Sequence, residues 1–312
     1  MTTTLRIGSR PSALALAQST LIRDSLHQLA PGLTVEVVPI STTGDKLTTA
    51  SLARVGGKGL FIRELEQALS DKRIDLAVHS MKDLPAILPS QYRIAAVPAR
   101  ENPHDALISC SDGGWAALKP GARLGTSSSR RRLQALRLRP DLEILPLRGN
   151  VDTRLKRLAD GDFDAIILAM AGLRRLGRAD VANLTELDEQ AFIPSAAQGA
   201  LALEVLTDSK LLGSSEIDDA LARLNDPKTE AEVVAERSLL ATIGASCVSP
   251  IGVKGTLADG RLTLRAILFS LDGARSLAES TEQNGDADAA TLGIALGNRM
   301  LESGAAELIG HE

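Results

Sequence analysis

Short apolar runs alternate with helical stretches along this chain, stop at a polar joint, and begin again. Leu76-Ala77-Val78-His79 and Ala165 to Ala169 are bounded by turn residues and too short for buried helices, so they predict strands covered on both faces. Strands that alternate with helices imply right-handed crossovers and an α/β sheet. The first hundred residues follow that rhythm. Leu5 to Ile7 reads as a strand, Ser12 as the cap of a helix running to Leu29, and Thr34 to Val38 as a second strand. A Thr-, Ser- and Gly-rich loop over 41–59 is expected to be mobile, and a helix from Leu60 to Leu69 follows it.

Arg100-Glu101-Asn102-Pro103-His104 is the joint, after which the pattern restarts. Strands are expected at Ala106 to Ser109, Ala122 to Gly125, Leu142 to Leu147 and Ala165 to Ala169, with helices from Ser128 and over Val151 to Leu158. Gln198 to Val205 reads as a return to the first lobe, and clefts between such lobes commonly hold ligands. The end of the chain differs: two helices over Leu211 to Thr242, three strands, and a last helix with Leu292, Leu296 and Met300 spaced by four. The expected division is 1–99 with 198–218, 103–195, and a small α+β domain over 219–312.

Composition removes several functional classes. With a net charge of −4 and few aromatic residues, the chain offers neither a basic field nor a stacking platform for nucleic acid. Cys110 and Cys247 are too far apart for a disulfide framework or zinc spacing, and the histidines are scattered, so no metal is expected. No apolar run spans a bilayer and the start has no signal core, which predicts a cytoplasmic protein. Val55-Gly56-Gly57-Lys58-Gly59-Leu60-Phe61 lacks the spacing of a phosphate loop and reads as a hinge with a basic side chain.

Three constellations remain for chemistry. Ligands of open α/β sheets bind at the carboxyl ends of strands, which is where His79-Ser80-Met81-Lys82-Asp83-Leu84-Pro85 places Lys82 and Asp83. An ammonium beside a carboxylate suits proton handling and stabilisation of a developing cation, or forms an ordinary loop ion pair. Arginines gather at other strand ends: Gly8-Ser9-Arg10-Pro11-Ser12, Gly125-Thr126-Ser127-Ser128-Ser129-Arg130-Arg131-Arg132, Leu147-Arg148-Gly149-Asn150-Val151-Asp152-Thr153-Arg154, and Ala171-Gly172-Leu173-Arg174-Arg175. One arginine is usually solvated, but several at strand ends imply a small polycarboxylate or phosphate ligand. Finally, Cys247 follows a predicted helix in a turn of small residues. It is either a sulfur nucleophile that carries a covalent group or an inert thiol.

Together these segments resemble the porphobilinogen deaminase (hydroxymethylbilane synthase) family, in family order and over nearly the whole chain. Gln198-Gly199-Ala200-Leu201, Ala235-Glu236-Arg237 and Cys247 with Pro250-Ile251-Gly252 complete the match. The resemblance implies two α/β lobes like those of periplasmic binding proteins, plus the small C-terminal domain. It implies a monomeric transferase of tetrapyrrole and heme biosynthesis. Such an enzyme condenses four porphobilinogen molecules head to tail, with loss of ammonia, on a covalent dipyrromethane primer.

By the same resemblance, Cys247 holds the primer as a thioether and Asp83 is the catalytic carboxylate that steadies an azafulvenium cation. Lys82, Thr126, Ser127, Ser128, Arg130, Arg131, Arg148 and Arg154 would hold the cofactor. Arg10, Ser12, Lys58, Phe61, Arg175 and Gln198 would hold substrate. The chain departs from the family in having Ala245-Ser246 before the cysteine and Ala197 before Gln198, where glycines are frequent. Rival classes are a two-lobed anion-binding module and an effector-binding domain without catalysis; neither accounts for Cys247.

Overall fold

The computed structural model describes residues 4–41, 62–209, 213, 215–246 and 248–310. In chain order the first elements are β1 (Thr4–Ser9), α1 (Ala13–Leu29), β2 (Thr34–Pro39), α2 (Arg63–Ser70), β3 (Leu76–Ser80) and β4 (Tyr92–Ala96). Then come β5 (Asp105–Ser109), α3 (Gly114–Ala117), β6 (Arg123–Gly125), α4 (Ser129–Leu138), β7 (Glu143–Leu145), α5 (Val151–Ala159), β8 (Ala165–Ala169), α6 (Met170–Arg175) and β9 (Leu184–Glu186). The chain returns through β10 (Leu201–Leu206) and α7 (Ser215–Leu224) to α8 (Pro227–Ile243). It ends with β11 (Ile251–Ala258), β12 (Arg261–Phe269), β13 (Ser276–Asn284), α9 (Ala289–Glu302) and α10 (Ala305–Ile309). Two compact units result, Met1–Arg100 with Ala200–Glu230 and Glu101–Gly199 with Ala231–Glu312.

The first unit is built on a five-stranded sheet of order β2-β1-β3-β10-β4. β1 pairs in parallel with β2 and β3, whereas β10 runs antiparallel to β3 and β4. Helix α1 starts where the Ser12 hydroxyl accepts the Ala15 N–H at 3.3 Å. It lays Ile22 and Leu26 on Leu5, Ile7, Leu76 and Leu203 of the sheet. The opposite face is covered by Leu65 and Leu69 of α2.

The second unit holds a sheet of the same pattern, β7-β6-β8-β5-β9, in which β5 is antiparallel to both neighbours. Leu107, Leu124 and Ile167 form one face of its core, and Ile108, Phe163 and Ile166 the other. The mixed α/β class and the small C-terminal α+β part are as expected, but β4, α3, α6, β9 and α10 are additions. β4 and β9 lie at the sheet edges, and Arg93 on β4 and Glu186 on β9 are exposed, which masks any apolar signature. The antiparallel meander β11-β12-β13 packs on α8 and α9 through Leu239, Leu264, Leu296 and Met300. Leu133 and Ile193 meet Ile267 and Phe269, so the second α/β sheet and this meander share one unit. No helix among the described residues is long and apolar enough to cross a membrane.

Edge strand β11 does not leave its inner N–H groups bare. Glu236 on α8 accepts from Gly255 at 2.8 Å, and Glu232 accepts from Leu257 at 3.1 Å. The other oxygen of Glu236 takes the Ala197 N–H at 2.5 Å, which fixes the returning segment just before β10. Two residues later Gly199 has φ +90°, and a Cβ there would lie 2.1 Å from the Glu101 carbonyl, so only glycine fits. Ala197 itself sits at φ +56°, a left-handed conformation that a side chain disfavours by about 1 kcal/mol. Ala197→Gly is therefore expected to stabilise the fold by up to about 1 kcal/mol, read as a higher midpoint in urea unfolding.

Candidate active site

In the first unit the site grows from the carboxyl ends of β1 and β3. A pocket of about 80 Å³ is lined by Arg10 and Ser12 after β1, Gln18 on α1, His79 and Ser80 at the end of β3, and Asp83. Asp83 and Lys82 belong to a single 3-10 turn, Met81–Asp83, pinned by the buried Met81 side chain and by its N–H on the Ala200 carbonyl at 3.0 Å. Lys82 is partly buried. Asp83 is exposed, because the turn carries it beyond the end of the strand. Gln18, 3% exposed and bonded to the Ser80 hydroxyl at 2.9 Å, is a lining residue that sequence reasoning missed. Its signal was a polar side chain on the buried face of α1.

In the second unit the expected arginines separate into two kinds. Arg130 and Arg131 at the start of α4 both turn inward onto Asp105, the first residue of β5. Arg130 donates to one carboxylate oxygen at 2.7 Å and to the Ile193 carbonyl at 2.9 Å. Arg131 reaches the other oxygen at 2.7 and 3.0 Å, and the Ile167 carbonyl at 2.9 Å. Gln198 adds a bond to Asp105 at 3.0 Å and one to the Pro103 carbonyl at 2.8 Å, and is itself 1% exposed. Burial alone would raise the Asp105 carboxyl, but the two guanidinium groups outweigh it and hold it well below the usual carboxylate range. Burial pulls Arg130 down, Asp105 pushes back, and Arg131 adds to the fall, since one carboxylate serves two cations. A net positive charge is thus enclosed beneath the first turn of α4.

That turn is shaped by hydroxyls. Ser128 caps α4 by accepting the Arg131 N–H at 3.3 Å, buried Thr126 accepts the Ser128 N–H at 3.2 Å, and exposed Ser127 donates to the Leu147 carbonyl at 3.0 Å. Asn150 caps α5 as expected, taking the Thr153 N–H at 2.8 Å.

The second kind of arginine makes no ion pair among the described residues. Arg154 is partly buried and its one hydrogen bond among the described residues is to the Gly149 carbonyl, at 2.8 Å. Burial, then the nearby charge of Arg131, pushes it down to about 10. Arg175 donates to the Gly199 carbonyl at 2.6 Å, while its buried Nε has no hydrogen-bond partner among the described residues. Burial pushes it, too, down to about 10, against a small opposing pull from Glu101. Arg148 is exposed on the loop before α5. Desolvated guanidinium groups without carboxylates are costly unless an anion completes them. The donor set fits a group that brings several carboxylates.

Cys247, Lys58 and Phe61, with nearly all of the 41–59 loop, lie outside the described residues. Around Cys247 in sequence, the Ser246 N–H bonds to the Ser249 hydroxyl and the Ser249 N–H to the Ser246 carbonyl, each at 3.0 Å. Cys110 is an exposed free thiol, and no group of metal-ligating side chains occurs among the described residues.

The chain is similar to known proteins over nearly its whole length. A family model described as "Porphobilinogen deaminase, dipyromethane cofactor binding domain" matches residues 5–213, and one described as "Porphobilinogen deaminase, C-terminal domain" matches 230–302. The porphobilinogen deaminase of Syntrophobacter fumaroxidans is 46% identical over 305 residues, 98% of this chain and 96% of that protein. That of Roseiflexus castenholzii is 44% identical over 310 residues, 99% of each. Among solved structures, the Bordetella pertussis BvgS VFT2 domain aligns with 73% of this chain and 91% of its own, at 15% identity and a TM-score of 0.42.

The Asp105 network has a pH signature. Its folded-state value is depressed, so its contribution is complete above about pH 4 and is lost as pH falls below that. Asp105→Asn is expected to destabilise by roughly 3–5 kcal/mol at neutral pH. Urea unfolding between pH 7 and 3 should also show a shallower acid loss in the variant than in the parent.

Proposed function

The chain belongs to the porphobilinogen deaminase family, and from that premise we propose how its residues divide the work of condensing four porphobilinogen molecules, with loss of ammonia, into the linear tetrapyrrole hydroxymethylbilane. The protein is a transferase that uses the dipyrromethane cofactor of its family. When bound, that group supplies a pyrrole carbon nucleophile for each addition. Cys247 is its attachment point, the one cysteine that follows a run of small residues in the sequence after α8.

The observation that carries this reading is the pair of partly buried arginines, Arg154 and Arg175, that no carboxylate of the described chain satisfies. Pyrrole rings with acetate and propionate arms bring the missing anions. Arg154 and exposed Arg148 hold cofactor carboxylates. Arg131 and Arg130 act from below, by adding positive charge and by fixing the α4 turn whose Thr126, Ser127 and Ser128 meet the same group. Arg175, Arg10 and Ser12 hold substrate carboxylates, with Lys58 and Phe61 of the loop. Gln198 serves substrate binding indirectly: its amide ties Asp105 to the Pro103 carbonyl.

Asp83 is the catalytic carboxylate, with Lys82 beside it to meet cofactor carboxylates. Loss of ammonia from the aminomethyl arm leaves positive charge on the substrate, and a fixed negative charge there stabilises it. Exposure suits this role in the absence of substrate, because substrate bound in the pocket displaces water and strengthens the interaction. Separate hydrophobic clusters favour three cores, for which the division 1–99 with 198–218, 103–195 and 219–312 is proposed, with Ala220 and Leu221 packed in the first core. A net charge of −4 argues against nucleic-acid binding, and the family relationship supports a cytoplasmic monomer. A non-catalytic anion-binding role is not favoured.

Intact mass tests the attachment. Protein purified without added substrate is expected to be heavier than its sequence by two deaminated porphobilinogen units, on the peptide containing Cys247, and the increment should survive thiol reductants. Cys247→Ala should run at bare sequence mass and show no turnover; an active parent at bare mass refutes the assignment. Asp83→Asn is expected to keep the added mass while kcat falls by about a hundredfold or more.

A further inference from the structure

Behind the pocket of the first unit lies a second acid–base pair to which no role has yet been given. His79, 6% exposed, lines the pocket and places its Nε2 2.9 Å from Oε2 of Glu204. Glu204 is 0% exposed in the middle of β10, and its other oxygen, Oε1, is buried without a hydrogen-bond partner among the described residues. The register explains the pairing. Ala77 of β3 lies opposite Glu204 and His79 opposite Ala202, so His79 and Glu204 are diagonal neighbours on one face of the sheet. A half-satisfied carboxylate inside a sheet is costly, and an apolar residue would pack there more cheaply. In the tautomer that donates from Nε2 to this carboxylate, the lone pair of the imidazole is on Nδ1.

On α2, Glu66 is raised first by its burial and next by the charge of Glu204. Arg10 and Asp83 are the other charged groups that line the pocket. Gln18 and Ser80, also in its wall, are neutral.

We propose that His79, oriented by Glu204, is the general base of each condensation in this pocket, a role separate from the charge stabilisation given to Asp83. The inference rests on the function proposed above. When the new carbon–carbon bond forms, the C–H bond at the attacking ring carbon breaks and its electron pair restores the aromatic ring. Nδ1 takes the released proton. The imidazolium is held by Glu204 and passes the proton to the ammonia set free from the aminomethyl arm, which departs as ammonium. No further reactant is needed, and the pair returns to its starting state after every addition.

His79→Gln in the primer-bearing protein separates this role from a structural one. The glutamine amide can still donate to Glu204, but it has no basic nitrogen. Porphobilinogen turnover is expected to fall about a hundredfold in kcat, with KM within about twofold and with primer mass and thermal midpoint close to the parent's. A variant kcat within about threefold of the parent's, or a loss confined to KM, overturns the proposal. Should that variant not fold, Glu204→Gln decides: it keeps an acceptor for Nε2 and removes the charge. A kcat fall of about tenfold is expected there, and an unchanged kcat overturns the proposal. A parent that lacks both turnover and primer mass would instead refute the function on which the inference rests.

Discussion

The carboxylate of Asp105 anchors the second unit. It stands at the first residue of β5, takes bonds from Arg130 and Arg131 on α4, and takes one from Gln198 on the returning segment. A strand, a helix start and a crossing segment are thus tied to a side chain with 0% exposure. Such a buried triad is no gain in stability over a well-packed apolar core. Its value is positional. It sets where the first turn of α4 points, and it leaves positive charge under that turn, close enough to Arg154 to lower that residue's affinity for its proton.

Arg154 and Arg175 carry the converse of that arrangement. Evolution of a stable protein would give each a carboxylate, and the described chain gives neither one. The fold tolerates the penalty because a carboxylate-bearing ligand removes it. Binding free energy and folding free energy are linked in this way, and a form without that ligand should be the less stable of the two.

Much of this was legible in the sequence where local chemistry decides. Ser12, Ser128 and Asn150 cap helices as their positions suggest. The strand at Ala165–Ala169 has the limits its apolar run implies. What could not be read depends on partners far along the chain. Nothing around Asp105 marks it as the partner of Arg130, 25 residues on, or of Gln198, 93 residues on. For the same reason, arginines that are alike in the sequence divide in the structure into those neutralised from within and those left for a ligand. The His79–Glu204 pair, 125 residues apart, was hidden by the same distance. His79 reads as the end of an apolar strand until β10 is laid beside it.

The placing of β10 also has a consequence for biosynthesis. It lies between β3 and β4, so the first sheet cannot be completed until the chain has been made past residue 206. Elongation at about 5–20 residues per second leaves the edge of β3 unpaired for on the order of ten seconds. The sheet of the second unit has all its strands between residues 105 and 186 and waits for no later segment. On the ribosome, then, the lobe that begins the chain is the later of the two to close, and its waiting strand edge is the nascent protein's most exposed point for mispairing.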